Sequence, residues 1–302
     1  MHQMESCVVV EDGLNVWTRI IGGGAPHQRP ALLVLHGGPG IGHDYLENLS
    51  ELANEHQRVV FYDQLGCGRS DQPKEAERWV IGRFVREVDA VRRALGLDSV
   101  VVLGQSWGGM LAIEYLLTKP AGVHAAILSS ALSSAPLMTS ELTRLKQALP
   151  EQTLSTLLFH EKNGSTDSAE YKEATAQFYR RHVLRVDPLP AVVLDAIGDI
   201  HPVYEVMWGK NEFSVTGNLK HWDRTAELDQ IDCPTLIISG EFDESTSKIN
   251  QVLNDGIRGS VWKQMAGCSH LCHLEDPGRY LSIVRTFLDE IEAARNARLA
   301  AH

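Results

Sequence analysis

The chain has 302 residues, 43% hydrophobic and 22% charged, enough for a sizeable core in one large α/β domain with an insert or in two ordinary domains. Its 39 acidic against 28 basic side chains give a formal charge of −11, and no Lys/Arg-rich run offsets it, which argues against a nucleic-acid or anionic-membrane partner. No apolar run reaches the roughly 18 residues of a membrane span, the start lacks a secretory pattern, and five scattered cysteines suit a reducing compartment, so a cytoplasmic protein is expected.

In chain order, the first predicted elements are two short strands, Cys7–Val10 and Val16–Ile21, joined at Asp12-Gly13 as an edge hairpin. Ala31–Leu35 is a continuous apolar run, as expected of a strand covered on both faces by helices. It ends in His36-Gly-Gly-Pro-Gly40. Val59–Tyr62, Val100–Leu103, Ala125–Leu128 and Thr235–Ser239 repeat the buried-strand pattern, and Ser260–Met265 reads as the last strand. Trp79, Val80, Phe84, Val88, Val91 and Leu95 form one helical stripe between strands. Gly108–Leu117 and Tyr280–Ala294 are further helices. This alternation predicts a doubly wound, mostly parallel sheet. The rhythm breaks between 134 and 227, where the segment is polar and helix-prone, and resumes at Thr235. The expected division is a core (1–133), a helical cap (134–227) over the C-terminal sheet edge, and the rest of the core (228–302).

Gly104-Gln-Ser106-Trp-Gly108 lies between a predicted strand and a predicted helix, the setting in which G-x-S-x-G forms a nucleophile elbow. The sharp turn would lift the Ser106 hydroxyl above the sheet at the positive end of a helix and free the Trp107 N–H to face an oxyanion. A second oxyanion donor is expected from the 36–40 loop, with Gly37 N–H favoured and Gly38 as the alternative. His36 itself reads as structural. The order of an α/β-hydrolase fold places an acid after a late strand and then a histidine. Asp243 and His270 fill those places, with Glu241 and Glu244 as rivals to the acid and His273 as the decoy base. Cys268, His270, Cys272 and His273 do not match a zinc spacing. No metal or other cofactor is expected.

His36-Gly-Gly-Pro-Gly40, Asp63-Gln-Leu-Gly-Cys-Gly-Arg-Ser-Asp71, Gly104-Gln-Ser-Trp-Gly-Gly109 and Gly240-Glu-Phe-Asp-Glu244 resemble the proline iminopeptidase family of α/β-hydrolases. The segment Trp208–Phe213 is similar to the tricorn-interacting aminopeptidase branch. The resemblance implies removal of an N-terminal residue, often proline, from short peptides or amino-acid amides. It also implies a carboxylate pair gripping the substrate's free amino group, which falls on Glu212 and Glu244. Aromatic residues such as Tyr45, Tyr204, Trp208 and Phe213 are candidates for the side-chain pocket. The alternative reading is an amino-acid amide hydrolase or biosynthetic esterase with the same triad and wider tolerance.

Overall fold

The computed structural model describes residues 2–26, 28–193, 202–213 and 215–300; positions 194–201 and 214 of the expected cap lie outside the described residues. The strands are β1 (Gln3–Glu11), β2 (Leu14–Ile21), β3 (Ala31–Leu35), β4 (Val59–Tyr62), β5 (Val100–Gln105), β6 (Val123–Ser129), β7 (Thr235–Gly240) and β8 (Val261–Met265). The helices are α1 (Ile81–Ala94), α2 (Trp107–Leu117), α3 (Ala135–Gln147), α4 (Glu151–Asn163), α5 (Ala169–His182), α6 (Pro202–Met207), α7 (Ser247–Gly256), α8 (Cys272–Glu275) and α9 (Pro277–Ala300). The strands form one sheet in the order β1-β2-β4-β3-β5-β6-β7-β8. β1 and β2 are the antiparallel edge hairpin, β2 pairs antiparallel with β4, and β4 through β8 run parallel.

The apolar strands sort their side chains by alternation into two cores, one on each sheet face. Ala31, Leu33 and Leu35, with Val60, Val100 and Val102, pack on one face against Phe84 and Val88 of α1 and Leu111 of α2. Leu32 and Val34, with Val59, Phe61, Val101 and Leu103, pack on the other against Val284, Leu288 and Ile291 of α9. All five residues of β3 are fully buried. Each such aliphatic chain contributes about 1.5–3 kcal/mol, so a single polar substitution in β3 would damage one core or the other.

β3 has β4 on one side and β5 on the other, so the sheet reverses its winding here. The loops leaving the C-terminal ends of β3 and β5 therefore border one crevice, the usual ligand site of an open α/β sheet.

Between β6 and β7 the chain leaves the sheet as α3 to α6. The neck of this insert is pinched where Ser134 bridges Asp223: Ser134 Oγ donates to Asp223 Oδ2 at 2.8 Å and accepts the Leu137 N–H, capping α3. A second tie lies at the far end of α5. The His182 carbonyl accepts N–H bonds from both Glu244 and His270 (3.2 Å each), and the Val183 carbonyl accepts from Leu271 (3.0 Å). This seam joins the insert to the loops after β7 and β8. Among the described residues, no helix is long and apolar enough to cross a membrane.

Candidate active site

The turn between β5 and α2 puts Ser106 at φ 55°, ψ −119°, a conformation that side chains rarely adopt. Packing leaves the chain no slack around it. A Cβ on Gly104 would lie 2.2 Å from the Gly108 carbonyl oxygen, and one on Gly108 would lie 2.0 Å from that of Leu35. The glycines let strand, turn and helix approach this closely, and the strain holds the Ser106 side chain at the crevice.

Asp243 follows β7 and is 2% exposed. Its Oδ1 accepts a hydrogen bond from His270 Nδ1 at 2.8 Å and another from the Ser245 N–H, also at 2.8 Å. His270 lies in the loop after β8. Burial alone would lower its pKa, but Asp243, Glu244 and Glu212 outweigh burial and hold it at about 9. Ser106 and His270 line one cavity of about 110 Å³. No hydrogen bond joins them in this state; contacts of this kind often close only around substrate. Two of the rivals go elsewhere, while Glu244 stays beside His270, its Oε1 3.8 Å from Nε2. Glu241 accepts the Gly267 N–H. Buried His273 donates from Nε2 to the Tyr45 carbonyl, and burial lowers its pKa to about 4, which keeps it neutral.

The oxyanion loop departs from expectation at Gly37. Its N–H donates to the Tyr45 hydroxyl at 2.7 Å, and that hydroxyl donates in turn to Gln105 Oε1 at 2.5 Å. The favoured donor is thus already engaged, and Gly37 does not line the cavity. Gly38 does, at φ 112°, and its N–H and that of Trp107 bond to no other described group. Of the two glycines, Gly38 is therefore the one whose N–H is left unbonded beside the cavity. A side chain at Gly37 would also strike Tyr45 Oη and Gln105 Oε1, each at 2.7 Å.

Beneath the loop, His36 donates from Nδ1 to the Gly37 carbonyl and accepts at Nε2 from the Gln64 N–H. Burial lowers its pKa to about 4, as befits a neutral brace. Gln64 also donates to the His36 carbonyl and accepts from the Trp107 indole at 2.8 Å. The conspicuous 63–71 motif is therefore a support: Asp63 accepts from the backbone N–H groups of His43 and Arg69 and from the His43 ring.

Glu244, beside the acid, and Glu212, from the insert, face the same cavity. Glu212 Oε2 accepts the Tyr204 hydroxyl at 2.7 Å, while Glu244 Oε2 is buried without a partner among the described residues. Burial raises the pKa of both, and the charge of Glu212 raises that of Glu244 further. Two carboxylates so placed are poorly satisfied until a cation joins them.

Of the aromatic candidates, Tyr45 and Tyr204 line the cavity and two do not. Trp208 is core, 5% exposed, with its indole on the Glu212 carbonyl. Phe213 packs edge-on against Phe178 at 4.6 Å. The walls come instead from Ile41, Tyr179, Val183, Val193 and Leu271, and from Asn211 next to Glu212. Nothing in an irregular helical insert marks which side chains turn inward; only the proximity of Asn211 to Glu212 was a signal.

The chain matches the α/β hydrolase fold family over residues 30–277. It is 39% identical to a proline iminopeptidase of Thermoplasma volcanium over 269 residues, 88% of this chain and 91% of that one. A proline iminopeptidase of Heyndrickxia coagulans is also 39% identical, over 89% of this chain and 92% of its own length. The crystal structure of the Mycobacterium smegmatis proline iminopeptidase superposes with a TM-score of 0.90 at 36% identity, covering 97% of this chain and all of that one (100%).

Proposed function

The chain belongs to the proline iminopeptidase family of α/β-hydrolases, and from that premise we propose that Ser106, His270 and Asp243 remove the N-terminal residue of short peptides through an acyl-enzyme. The observation that carries this reading is the convergence of a strained serine, an Asp-paired histidine and two buried carboxylates on one small cavity. Glu212 and Glu244 hold the substrate's terminal ammonium, a charge that an internal amide nitrogen lacks. The first side chain enters among Ile41, Val183, Val193 and Leu271, where the space favours a compact apolar residue such as proline.

His270, held in one tautomer by Asp243, takes the Ser106 proton as Oγ attacks the carbonyl carbon. Negative charge builds on the carbonyl oxygen and is met by the N–H groups of Gly38 and Trp107. His270 then returns the proton to the departing amine, and water repeats the sequence to release the amino acid. The five unpaired cysteines, three of them buried, support action in the reducing cytoplasm.

The test is hydrolysis of a panel of amino-acid arylamides by wild type and Ser106→Ala. Proline preference abolished by the substitution is expected. Broad turnover abolished by it would point to a general amino-acid amidase on the same machinery, and undiminished turnover would overturn the nucleophile assignment.

A further inference from the structure

His270 Nε2 is the nitrogen that has to receive the Ser106 proton. In the free enzyme it faces Glu244 Oε1 at 3.8 Å, while Nδ1 is held by Asp243 at 2.8 Å. The ring thus lies between two carboxylates, with Glu212 as a third across the cavity. The other titratable groups around it carry no compensating positive charge. His273, in α8 just after that loop, is kept neutral by burial. Tyr179 of α5, Tyr204 of α6 and Tyr45 of the β3–β4 connection stay protonated because burial raises each of them. His182 is turned to the Phe242 carbonyl, and burial lowers its pKa. Burial and mutual repulsion raise the pKa of Glu212 and Glu244, yet whatever negative charge the pair carries adds to that of Asp243, so the local field is one-sided and favours an imidazolium, which cannot act as a base. Glu244 is itself only 3% exposed, and its Oε2 has no partner among the described residues, so one oxygen of the carboxyl is left for a donor that the substrate brings.

We infer that the substrate's ammonium group switches on the catalytic base, by replacing protonated His270 as the counter-cation of Glu244 and Glu212. This deepens the preceding reading and rests on it. When the ammonium docks between the two carboxylates, their charge no longer stabilises the imidazolium. The Nε2 proton passes to solvent, leaving a lone pair on Nε2 directed into the cavity. That lone pair accepts the Ser106 proton as the Oγ–C bond forms. Recognition and activation then become one event. A substrate without a terminal amine meets an enzyme whose base is already occupied by a proton, whatever the fit of its side chain.

The pKa of about 9 for His270 in the free enzyme agrees with this arrangement. It sets the scale of the test, because removing one of the facing carboxylates should bring the ring back toward its ordinary range near 6.5.

The experiment compares proline 4-nitroanilide with 4-nitrophenyl acetate, an ester without an amine, from pH 6 to 9.5. Ester hydrolysis by wild type should climb throughout and titrate near pH 9. The kcat for the anilide should titrate at least one pH unit lower. Glu244→Gln should raise ester turnover at pH 7 by roughly tenfold while lowering anilide turnover, an inversion that a merely structural role would not produce. A second readout does not depend on that variant. In Ser106→Ala saturated with prolinamide at pH 7.5, the nitrogen-15 signals of the His270 ring should move from imidazolium to neutral imidazole. Coincident pH profiles for both substrates, or an imidazolium that persists with prolinamide bound, would overturn the switch. Loss of both activities in Ser106→Ala alongside either result leaves the nucleophile in place and removes the switch alone; survival of both activities in Ser106→Ala would remove the nucleophile and the switch together.

Discussion

The Tyr45 hydroxyl accepts the Gly37 N–H at 2.7 Å and so fastens the oxyanion loop to Gln105 at the end of β5. Tyr45→Phe removes the acceptor and leaves a buried donor unpaired, which costs about 1–3 kcal/mol. Because Gly38 is the next residue, its N–H should lose its aim. We expect kcat to fall about tenfold with KM nearly unchanged, measured by steady-state kinetics on proline arylamides. A rise in KM alone would mean that Tyr45 acts as pocket wall and not as a loop tie.

The elbow predicts a contrast between two glycines. Gly108→Ala drives a Cβ to 2.0 Å from the Leu35 carbonyl, inside a backbone contact that cannot yield. Stability should drop by roughly 4 kcal/mol or more. Gly82→Ala, in α1 with nothing within 4 Å of its would-be Cβ, should be neutral or stabilising by about 0.5–1 kcal/mol. Urea denaturation of the two variants decides it.

Glu212→Gln should raise KM for free-amine arylamides by about tenfold or more, since one arm of the clamp loses its charge. N-acetylated substrates, already poor, should not change. The same variant should be at least as stable as wild type at pH 8. The folded-state pKa of Glu212 is raised by burial, so whatever stability the group offers is lost as pH rises above the ordinary value of 4.5 through the raised one. A glutamine escapes that loss. Thermal unfolding at pH 8 beside a KM series checks both halves.

At the acid end, His36 and His273 should govern unfolding. Both are buried and neutral, with pKa values lowered to about 4 against 6.5 unfolded. Their stabilising contribution is complete above pH 6.5 and is lost as pH falls toward 4, up to about 3 kcal/mol each as an upper bound. The melting temperature of wild type should therefore fall across that window. It should fall less steeply in His36→Gln, where one of the two titrations is gone. An equal slope would refute the assignment to His36.

The sheet was legible because its central strands are buried on both faces, and an unbroken run such as Ala31–Leu35 has few other fates. The edge was less so: β1 begins at Gln3, well before the Cys7–Val10 run, because its residues are half-exposed and obey no clear alternation. Ser106, Asp243 and His270 were singled out because each follows a recognisable strand, and the fold brings them together: His270 bonds Asp243 and shares a cavity with Ser106. That the Gly37 N–H is engaged was hidden for a reason no local pattern contains. Its partner Tyr45 is eight residues on, and only the folded loop shows that the phenol turns back. Trp208 and Phe213 share a motif with Glu212, yet they face the insert's own core while Glu212 faces the cavity. Composition identifies an aromatic residue but not the direction in which its ring points.

The seam at the end of α5 limits how the insert can be grafted. One carbonyl, that of His182, receives both the Glu244 and the His270 amides, so the backbone of the insert helps to shape the loops that carry Asp243, Glu244 and His270. Exchanging this helical segment wholesale would release both loops from that carbonyl. A laboratory chimera that exchanges the insert but keeps residues 182–185 native should therefore hold both loops in register while its inner wall is rebuilt.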